Sequence, residues 1–430
     1  MTELGVTLKF ISPAFIGGAD NENMAEFRLS ELKGLLRFWW RAGQNTDNEQ
    51  ELYNNESDVF GSTEKKSNLS IFFANENTPA ASRPTTTPSS RLAYLGYGPI
   101  GRGPQRSNAY LRPCIAQDAT VDIGLRLRFD REEVRMGFYN SLWLLTHLGG
   151  LGSRSRRGFG SVQCASVKNS DSRLQFTVAA KTVDEFAAHL EMGLGEIFAT
   201  SKPKSATATT LPAYSCLSSL AKICLFPGST EQVFKSWEAA LEAIAGDFLD
   251  WRSNRDWRSN KSRVQPPNTV PGADYRLVCG TGGLMDTGTL SQAPNRIAFG
   301  LPHNYFSSSR FRNATTRHEA KFHWHLQNKE GVWEEFERRA SPLMLHVAEL
   351  APGDGRERAY CVVVTWLRSK LLPDGAKIAP ILPVKRDANK QVLLGEKKAP
   401  GLEPPPDQTV GDFLDHLQKQ GKVREVKLPT

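Results

Sequence analysis

Hydrophobic and polar residues alternate along Val6-Thr7-Leu8-Lys9-Phe10-Ile11, and that period of two predicts a strand near the start of the chain. Further on the period changes. Over Glu31–Ala42, Leu32, Leu35, Leu36 and Trp39 recur at helical spacing, which predicts an amphipathic helix with Ser30 as its N-cap and Gly43 just past its end. Asn68–Phe73 reads as a second short strand, and Val121–Phe129 alternates cleanly, as a strand with one wet face does. A helix follows over about Arg131–Leu148, and a further strand opens near Ser161-Val162. The order strand, helix, strand, strand, helix, strand is the βαββαβ arrangement of ferredoxin-like folds and RNA-recognition modules, so the expected class is α+β.

The second half is patterned less cleanly. Thr182 is placed to cap a helix over Val183–Phe198, and a strand at Lys222–Phe226 precedes a helix over about Thr230–Phe248, which restarts the strand–helix order. Strands are expected at Ile297–Leu301, Leu343–Leu350 and Ala359–Leu367, and a short helix near Val410–Gln420. Residues 77–90 are rich in Thr, Ser, Pro and Ala and are expected to bury no core, 201–210 reads as a connector or exposed loop, and 399–406 belongs to a Pro- and Lys-rich stretch. No long repeat is visible by identity.

Composition narrows the class. A chain of 430 residues is expected to hold two domains, and 39% hydrophobic with 23% charged residues is globular composition. The longest apolar run, Cys361–Leu367, is strand-sized and far below the about 18–20 residues of a spanning helix. The opening Met1-Thr2-Glu3-Leu4 has no basic segment leading into an apolar one. The expectation is therefore a cytoplasmic protein that neither spans a membrane nor is exported. Cysteines at 114, 164, 216, 224, 279 and 361 form no C-x-x-C pair, which argues against zinc-ribbon and thioredoxin chemistry. Lys and Arg number 54 against 46 acids, an excess of +8 that permits a polyanionic partner without requiring one. What matters is whether the cations cluster.

They cluster twice. Lys33, Arg37 and Arg41 stand four apart on one face of the first helix with Trp40 beside them, a row suited to phosphates. Gly34 in mid-helix is read as a close approach by another backbone. The second cluster is Gly149-Gly150-Leu151-Gly152-Ser153-Arg154-Ser155-Arg156-Arg157-Gly158-Phe159-Gly160, with five glycines, three arginines and no acid. Glycines let backbone N–H groups approach a phosphate, arginines offer forked donors, and Phe159 is placed to stack on a base. The segment lacks the Gly-Lys-Ser/Thr ending of a Walker loop and follows a helix, which favours a polynucleotide over a mononucleotide. A third mixture, Tyr94-Leu95-Gly96-Tyr97-Gly98-Pro99-Ile100-Gly101-Arg102-Gly103-Pro104-Gln105-Arg106, interleaves tyrosines and arginines, and Arg102 and Arg106 are expected to bind single-stranded RNA. The near-repeat Trp251-Arg252-Ser253-Asn254 and Trp257-Arg258-Ser259-Asn260 reads equally as an RNA face or as an interface.

Catalytic candidates are weaker. Asp20, with Glu22 and Glu26 nearby, has the residue types to share a divalent ion, or it is a polar turn. His147, two residues before Gly149, is a general base beside arginines or a packed histidine. His318, His323 and His325 form H-x4-H-x-H; the last two share a strand face, with no clear carboxylate in the sequence to complete a metal site.

Here the sequence resembles a known family. Phe15-Ile16-Gly17-Gly18-Ala19-Asp20, Phe27–Ala42, Val59-Phe60-Gly61-Ser62 and the Gly152–Gly160 loop are similar to those of the RAMP superfamily, and within it to the first-subunit branch of the type III-B CRISPR Cmr effectors. Arg296-Ile297-Ala298-Phe299-Gly300-Leu301-Pro302 and Arg338-Arg339-Ala340-Ser341-Pro342-Leu343 extend the resemblance to about residue 345. It implies two tandem ferredoxin-like RAMP domains with long loop insertions. These are 1–170, with an insertion at about 74–118, and 171–430, with a Pro- and Lys-rich C-terminal region. It also implies antiviral defence by a ribonucleoprotein. This chain would hold the 3′ part of a guide RNA and the 5′ part of the paired single-stranded target, beside other RAMP subunits. It would have no cofactor and no catalytic residue. In the wider family the cutting residue is an Asp in the loop after the first strand, donated by the repeated backbone subunit; that loop here holds Asp20. The RNA-binding set expected on these grounds is Arg28, Lys33, Arg37, Trp40, Arg41, Arg102, Arg106, Gly152, Arg154, Arg156, Arg157, Gly158, Phe159, Arg296, Arg338 and Arg339. The alternatives are a RAMP endoribonuclease using Asp20 or His147, and a generic single-stranded RNA-binding module.

Overall fold

Alternation in the first strand translates directly into burial: Leu4, Val6, Leu8 and Phe10 are enclosed, while the residues between them reach solvent. The computed structural model describes residues 2–429 apart from 21, 45, 47, 76–77, 103–107, 129–131, 202–210, 254–273, 275–276, 278–289, 291, 307–317, 337, 353–356, 387–391 and 394–400. The first half runs β1 (Thr2–Phe10), α1 (Leu29–Ala42), α2 (Glu49–Phe60) and β2 (Leu69–Phe73). An inserted stretch follows with β3 (Ala81–Ser82), α3 (Ser90–Leu95), β4 (Ile100–Arg102), β5 (Asn108–Tyr110) and β6 (Cys114–Ile115). Then come β7 (Thr120–Leu127), α4 (Glu132–Leu148) and β8 (Val162–Lys168). The second half runs α5 (Val183–Ser201), β9 (Lys222–Phe226), α6 (Trp237–Ser253), β10 (His303–Phe306), β11 (His318–Gln327), β12 (Trp333–Phe336), β13 (Leu343–Leu350), β14 (Ala359–Trp366), β15 (Lys377–Arg386), β16 (Val392–Leu393), α7 (Gln408–Lys419) and β17 (Arg424–Val426). The fold is mixed α and β.

Two four-stranded antiparallel sheets have the orders β2-β7-β1-β8 and β13-β14-β9-β17. Counted within each run of strand, helix, strand, strand, helix, strand, both read 2-3-1-4. Both lie in one compact unit, residues 1–246, 343–368 and 417–430, around a common core. Leu32, Leu36 and Trp39 of α1, Phe138, Leu142 and Leu145 of α4, and Ile223, Leu225 and Val363 of the second sheet are all enclosed there. Each such side chain contributes on the order of 1.5–3 kcal/mol.

Side chains join the sheets along β8 and β13. Gln163 accepts from the Glu349 N–H through Oε1 (3.0 Å) and donates to the Glu349 carbonyl through Nε2 (3.2 Å), and Ser161 Oγ accepts from the Val347 N–H (2.9 Å). An edge strand's backbone is thus satisfied without forming a ladder. Lys9 bonds Glu349 at 2.5 Å and lies 3.1 Å from Asp118, which also holds Arg358 at 2.7 Å.

The second unit, residues 247–342 and 369–416, contains the sheet β10-β11-β15-β16 with β12 paired to β11. Its core is Ile297, Leu301, Phe322, Trp324, Ile378 and Leu402.

Several expectations are corrected. Helix α1 begins at Leu29 with Arg28 in the cap position and no side-chain cap, so Ser30 is inside the helix, and Gly43 is right-handed at φ −78°. Gly34 meets no neighbour: a Cβ there would find nothing within 4 Å. The close approach is at Gly137, where a Cβ would lie 2.6 Å from Trp40 Nε1. Asn295–Phe299 is a 3₁₀ turn, not a strand, because Asp274 accepts the N–H groups of Asn295 and Arg296 and winds the backbone there. The helix expected over Thr230–Phe248 divides into a 3₁₀ turn at Thr230–Gln232 and α6. Helix α2 was not anticipated.

Candidate nucleic-acid interface

The glycine-rich loop leaves α4 and folds onto the segment that follows β1. Ser153 N–H donates to the Phe15 carbonyl (2.9 Å), Gly160 N–H to that of Pro13 (2.9 Å), and Leu151 N–H to that of Gly160 (2.8 Å). Gly160 has φ +66°, and a Cβ there would sit 1.9 Å from the Leu151 carbonyl oxygen; only glycine fits. At Gly152, φ +84°, the N–H donates to Glu31 Oε1 at 2.6 Å. A carboxylate of the chain itself therefore occupies the donor that the sequence offered to a phosphate. Burial raises the Glu31 carboxyl above its ordinary range; the Gly152 N–H and Arg28 act in the opposite direction.

The loop lies along one face of α1. Glu31 reaches Gly152, and Phe38, seven residues on, lies under the Arg156 guanidinium at 5.0 Å. Arg154 is exposed and left-handed at φ 65°, whereas Arg156 and Arg157 are half-buried. Gly158 is packed against Leu241. Phe159 is fully buried, its ring 5.4 Å from Phe15 and 6.1 Å from Trp237, and it presents no face to a base.

The row on the neighbouring face of α1 is divided. Arg37 Nε and Arg41 Nη1 both donate to Glu56 Oε1 of α2, at 2.6 and 2.7 Å. Glu56 is 4% exposed, so these two cations serve a largely enclosed carboxylate. Trp40 is 5% exposed and stands edge-on to Phe60 at 6.5 Å. Lys33 remains half-exposed, its pKa lowered by burial and then by the Arg37 charge. Arg28 is exposed.

Glu56 is the residue the sequence reading missed. Asn48 caps α2 by accepting the Glu51 N–H, and Leu52, Glu56, Val59 and Phe60 recur at helical spacing, so a signal was present.

In the second unit Arg296 Nε lies 3.5 Å from the buried Asp274, and Arg339 donates to the Leu371 carbonyl at 2.6 Å. Both guanidiniums hold backbone or buried charge, and burial lowers the pKa of Arg339. Arg338 is exposed. Arg106 and the Arg102 side chain lie outside the described residues, as do residues 254–260 of the tryptophan near-repeat; Trp251 itself packs on Phe299 and Phe413 at 5.7 and 5.4 Å.

Asp20 is exposed and closes its own turn, accepting from the N–H groups of Glu22 and Asn23 and from Asn23 Nδ2 (3.0 Å). Those bonds, the Asn23 side chain first, lower its pKa. His147 is enclosed: Nδ1 bonds the Trp143 carbonyl at 2.8 Å, Nε2 meets His189 Nε2 at 2.9 Å, and the ring stacks on Trp143 at 4.1 Å. Burial lowers its pKa well below the usual range. His323 bonds Glu335 at 2.8 Å, and His325 faces Glu335 across the strand pair, while the His318 side chain lies outside the described residues. Among the described residues no group of three His, Cys, Asp or Glu side chains could hold a metal, and no helix is long and apolar enough to cross a membrane.

The glycine-rich loop set against the β1–α1 connection falls within the part of the chain that resembles known proteins. The RAMP superfamily matches residues 7–163, from β1 into β8. It is similar to the CRISPR system Cmr subunit Cmr1-1 of Pyrococcus furiosus, 29% identical over 199 residues that make up 45% of this chain and 57% of that protein. It is also similar to Cmr1-2 of the same organism, 26% identical over 180 residues, 38% of this chain and 95% of that one. The crystal structure of apo Cmr1 from Pyrococcus furiosus shares the fold at a TM-score of 0.51, with 16% identity over 99% of both chains.

Proposed function

We propose that the chain is a non-catalytic, RNA-binding subunit of a type III-B CRISPR effector, holding the 3′ part of the guide and the 5′ part of the paired target beside other RAMP subunits. What carries the reading is the glycine-rich loop docked on α1 through the Gly152–Glu31 bond, with Arg154 exposed on the loop and Arg28 exposed at the start of the helix, in a chain similar to Cmr subunits. The 2-3-1-4 order of both sheets supports two tandem ferredoxin-like modules, with the first spanning about 1–170 and carrying the insertion at 74–118, and the second drawn from 171–430. The cations proposed to contact RNA are Arg28, Lys33, Arg154, Arg156 and Arg338, together with Arg102 and Arg106. Arg37, Arg41, Arg296 and Arg339 hold the protein together. Such contacts grip phosphates, while guide–target pairing reads sequence.

The test is a tagged pull-down from the native host with sequencing of the bound RNA. Short RNAs sharing a repeat-derived 5′ tag, recovered with other RAMP proteins, are expected. Mixed cellular RNA without those partners overturns the assignment. Asp20→Ala is expected to leave target cleavage by the assembled complex unchanged; lost cleavage with retained RNA binding overturns the non-catalytic reading.

A further inference from the structure

The ring that the glycine-rich loop offered to a base, Phe159, is enclosed by residues from distant segments. Phe15 packs on it at 5.4 Å, Tyr110 on Phe15 at 6.2 Å, and a Cβ at Gly96 would lie 3.1 Å from its ring. The inserted stretch is thereby welded to the loop. Its helix α3 is capped by Ser89, which accepts the Leu92 N–H, and Gly96 N–H donates to the Leu92 carbonyl at 2.8 Å. Ile100 N–H donates to the Gly96 carbonyl at 2.9 Å, and Ile100 is fully buried. The turn 96–100 is anchored at both ends.

On that anchored turn Tyr97 points outward. It is 62% exposed, more than any other large hydrophobic side chain among the described residues. A Cβ on the next residue, Gly98, would come within 3.7 Å of the Arg154 guanidinium. The turn that carries the solvent-facing ring thus lies beside an exposed arginine from a separate segment, with Gly98 against the Arg154 guanidinium. An aromatic ring has few torsions to freeze on binding, and every base has a face to stack on it.

We infer that Tyr97 is a stacking platform for one unpaired base of an RNA strand whose adjacent phosphate is held by Arg154. The inference rests on the RNA-binding reading above. Its test is binding of a short unstructured RNA to the full chain at several salt concentrations, for wild type, Tyr97→Ala, Tyr97→Phe and Arg154→Ala. Tyr97→Ala is expected to weaken binding about tenfold with an unchanged salt slope, since stacking releases no counterions. Tyr97→Phe should bind as wild type does. Arg154→Ala should lower the salt slope by about one. Photocrosslinking with 4-thiouridine RNA should place the adduct on Tyr97. Wild-type affinity in Tyr97→Ala, an equal loss in Tyr97→Phe, or an adduct elsewhere overturns the platform while leaving RNA binding in place. No binding by the wild type removes the parent reading as well.

Discussion

The two four-stranded sheets share a strand order but not the loop that leads into their last strand. In the first sheet that loop is residues 149–161; in the second it is residues 420–423. Both loops pack against the segment following their sheet's first strand. The long one bonds Pro13 and Phe15, and the short one lies so close to Gly228 that a Cβ there would be 2.9 Å from Val423 carbon. The scaffold is therefore repeated and the chemistry is not. Arg154, Gly152 and the contact to the inserted stretch exist on one sheet only, and Arg424 beside the short loop is turned to Asp184 at 3.1 Å. Under the proposed function, it is loop content on a common frame that would set the role of the chain.

That contrast can be tested from its strongest point downward. Gly160→Ala should cost about 3–4 kcal/mol and abolish RNA binding, because the left-handed backbone and the Leu151 carbonyl both exclude a side chain. Urea unfolding would measure it; a loss below about 1 kcal/mol would mean the loop is not a structural keystone.

Acid should come next. His147, His189 and His346 sit in this unit with pKa values lowered by burial, His346 to about 4. The unfolded chain takes up these protons near its ordinary pKa of about 6.5, before the folded chain does. Stability should accordingly fall as pH drops from about 6.5 towards 4 and be nearly flat from 7 to 8. Thermal melts across that range would show it, and a melting temperature that does not change below pH 6 would contradict it.

Glu56→Ala should cost about 1–2 kcal/mol, since two guanidiniums lose a shared, largely buried partner while keeping some access to water. RNA affinity should hold or rise as those cations are released. A marked drop in affinity at unchanged stability would return Arg37 and Arg41 to the RNA face. The smallest effect is expected for Gly421→Ala, about 1 kcal/mol: φ is +64°, like Gly160, but nothing lies within 4 Å. Equal losses at the two glycines would erase the distinction between a packed loop and a plain turn.

Much of the fold was legible. Leu343–Leu350 and Lys222–Phe226 have the predicted boundaries, and Thr182 accepts the Glu185 N–H at the start of α5 as a cap should. Short-range periodicity and capping decide those elements, so a single chain reveals them. The candidate site was legible as segments and less so as residues. Phe159 among glycines reads the same whether buried or exposed, and Arg37 and Arg41 look available until α2 brings Glu56 against them.

By itself the sequence determined most of the strands and helices of the first half, a restart of strand–helix order near Lys222, and which two stretches carry clustered cations. Periodicity fixes which residues share a face, and glycine spacing fixes where backbone can turn left-handed. Tertiary structure alone decided which cations meet solvent, because a charge is committed or exposed according to the neighbour that folding brings to it. Glu31, Glu56, Asp274 and the Leu371 carbonyl take Gly152, Arg37 with Arg41, Arg296 and Arg339, and Tyr97 is left at the surface on the turn whose Gly98 lies against Arg154.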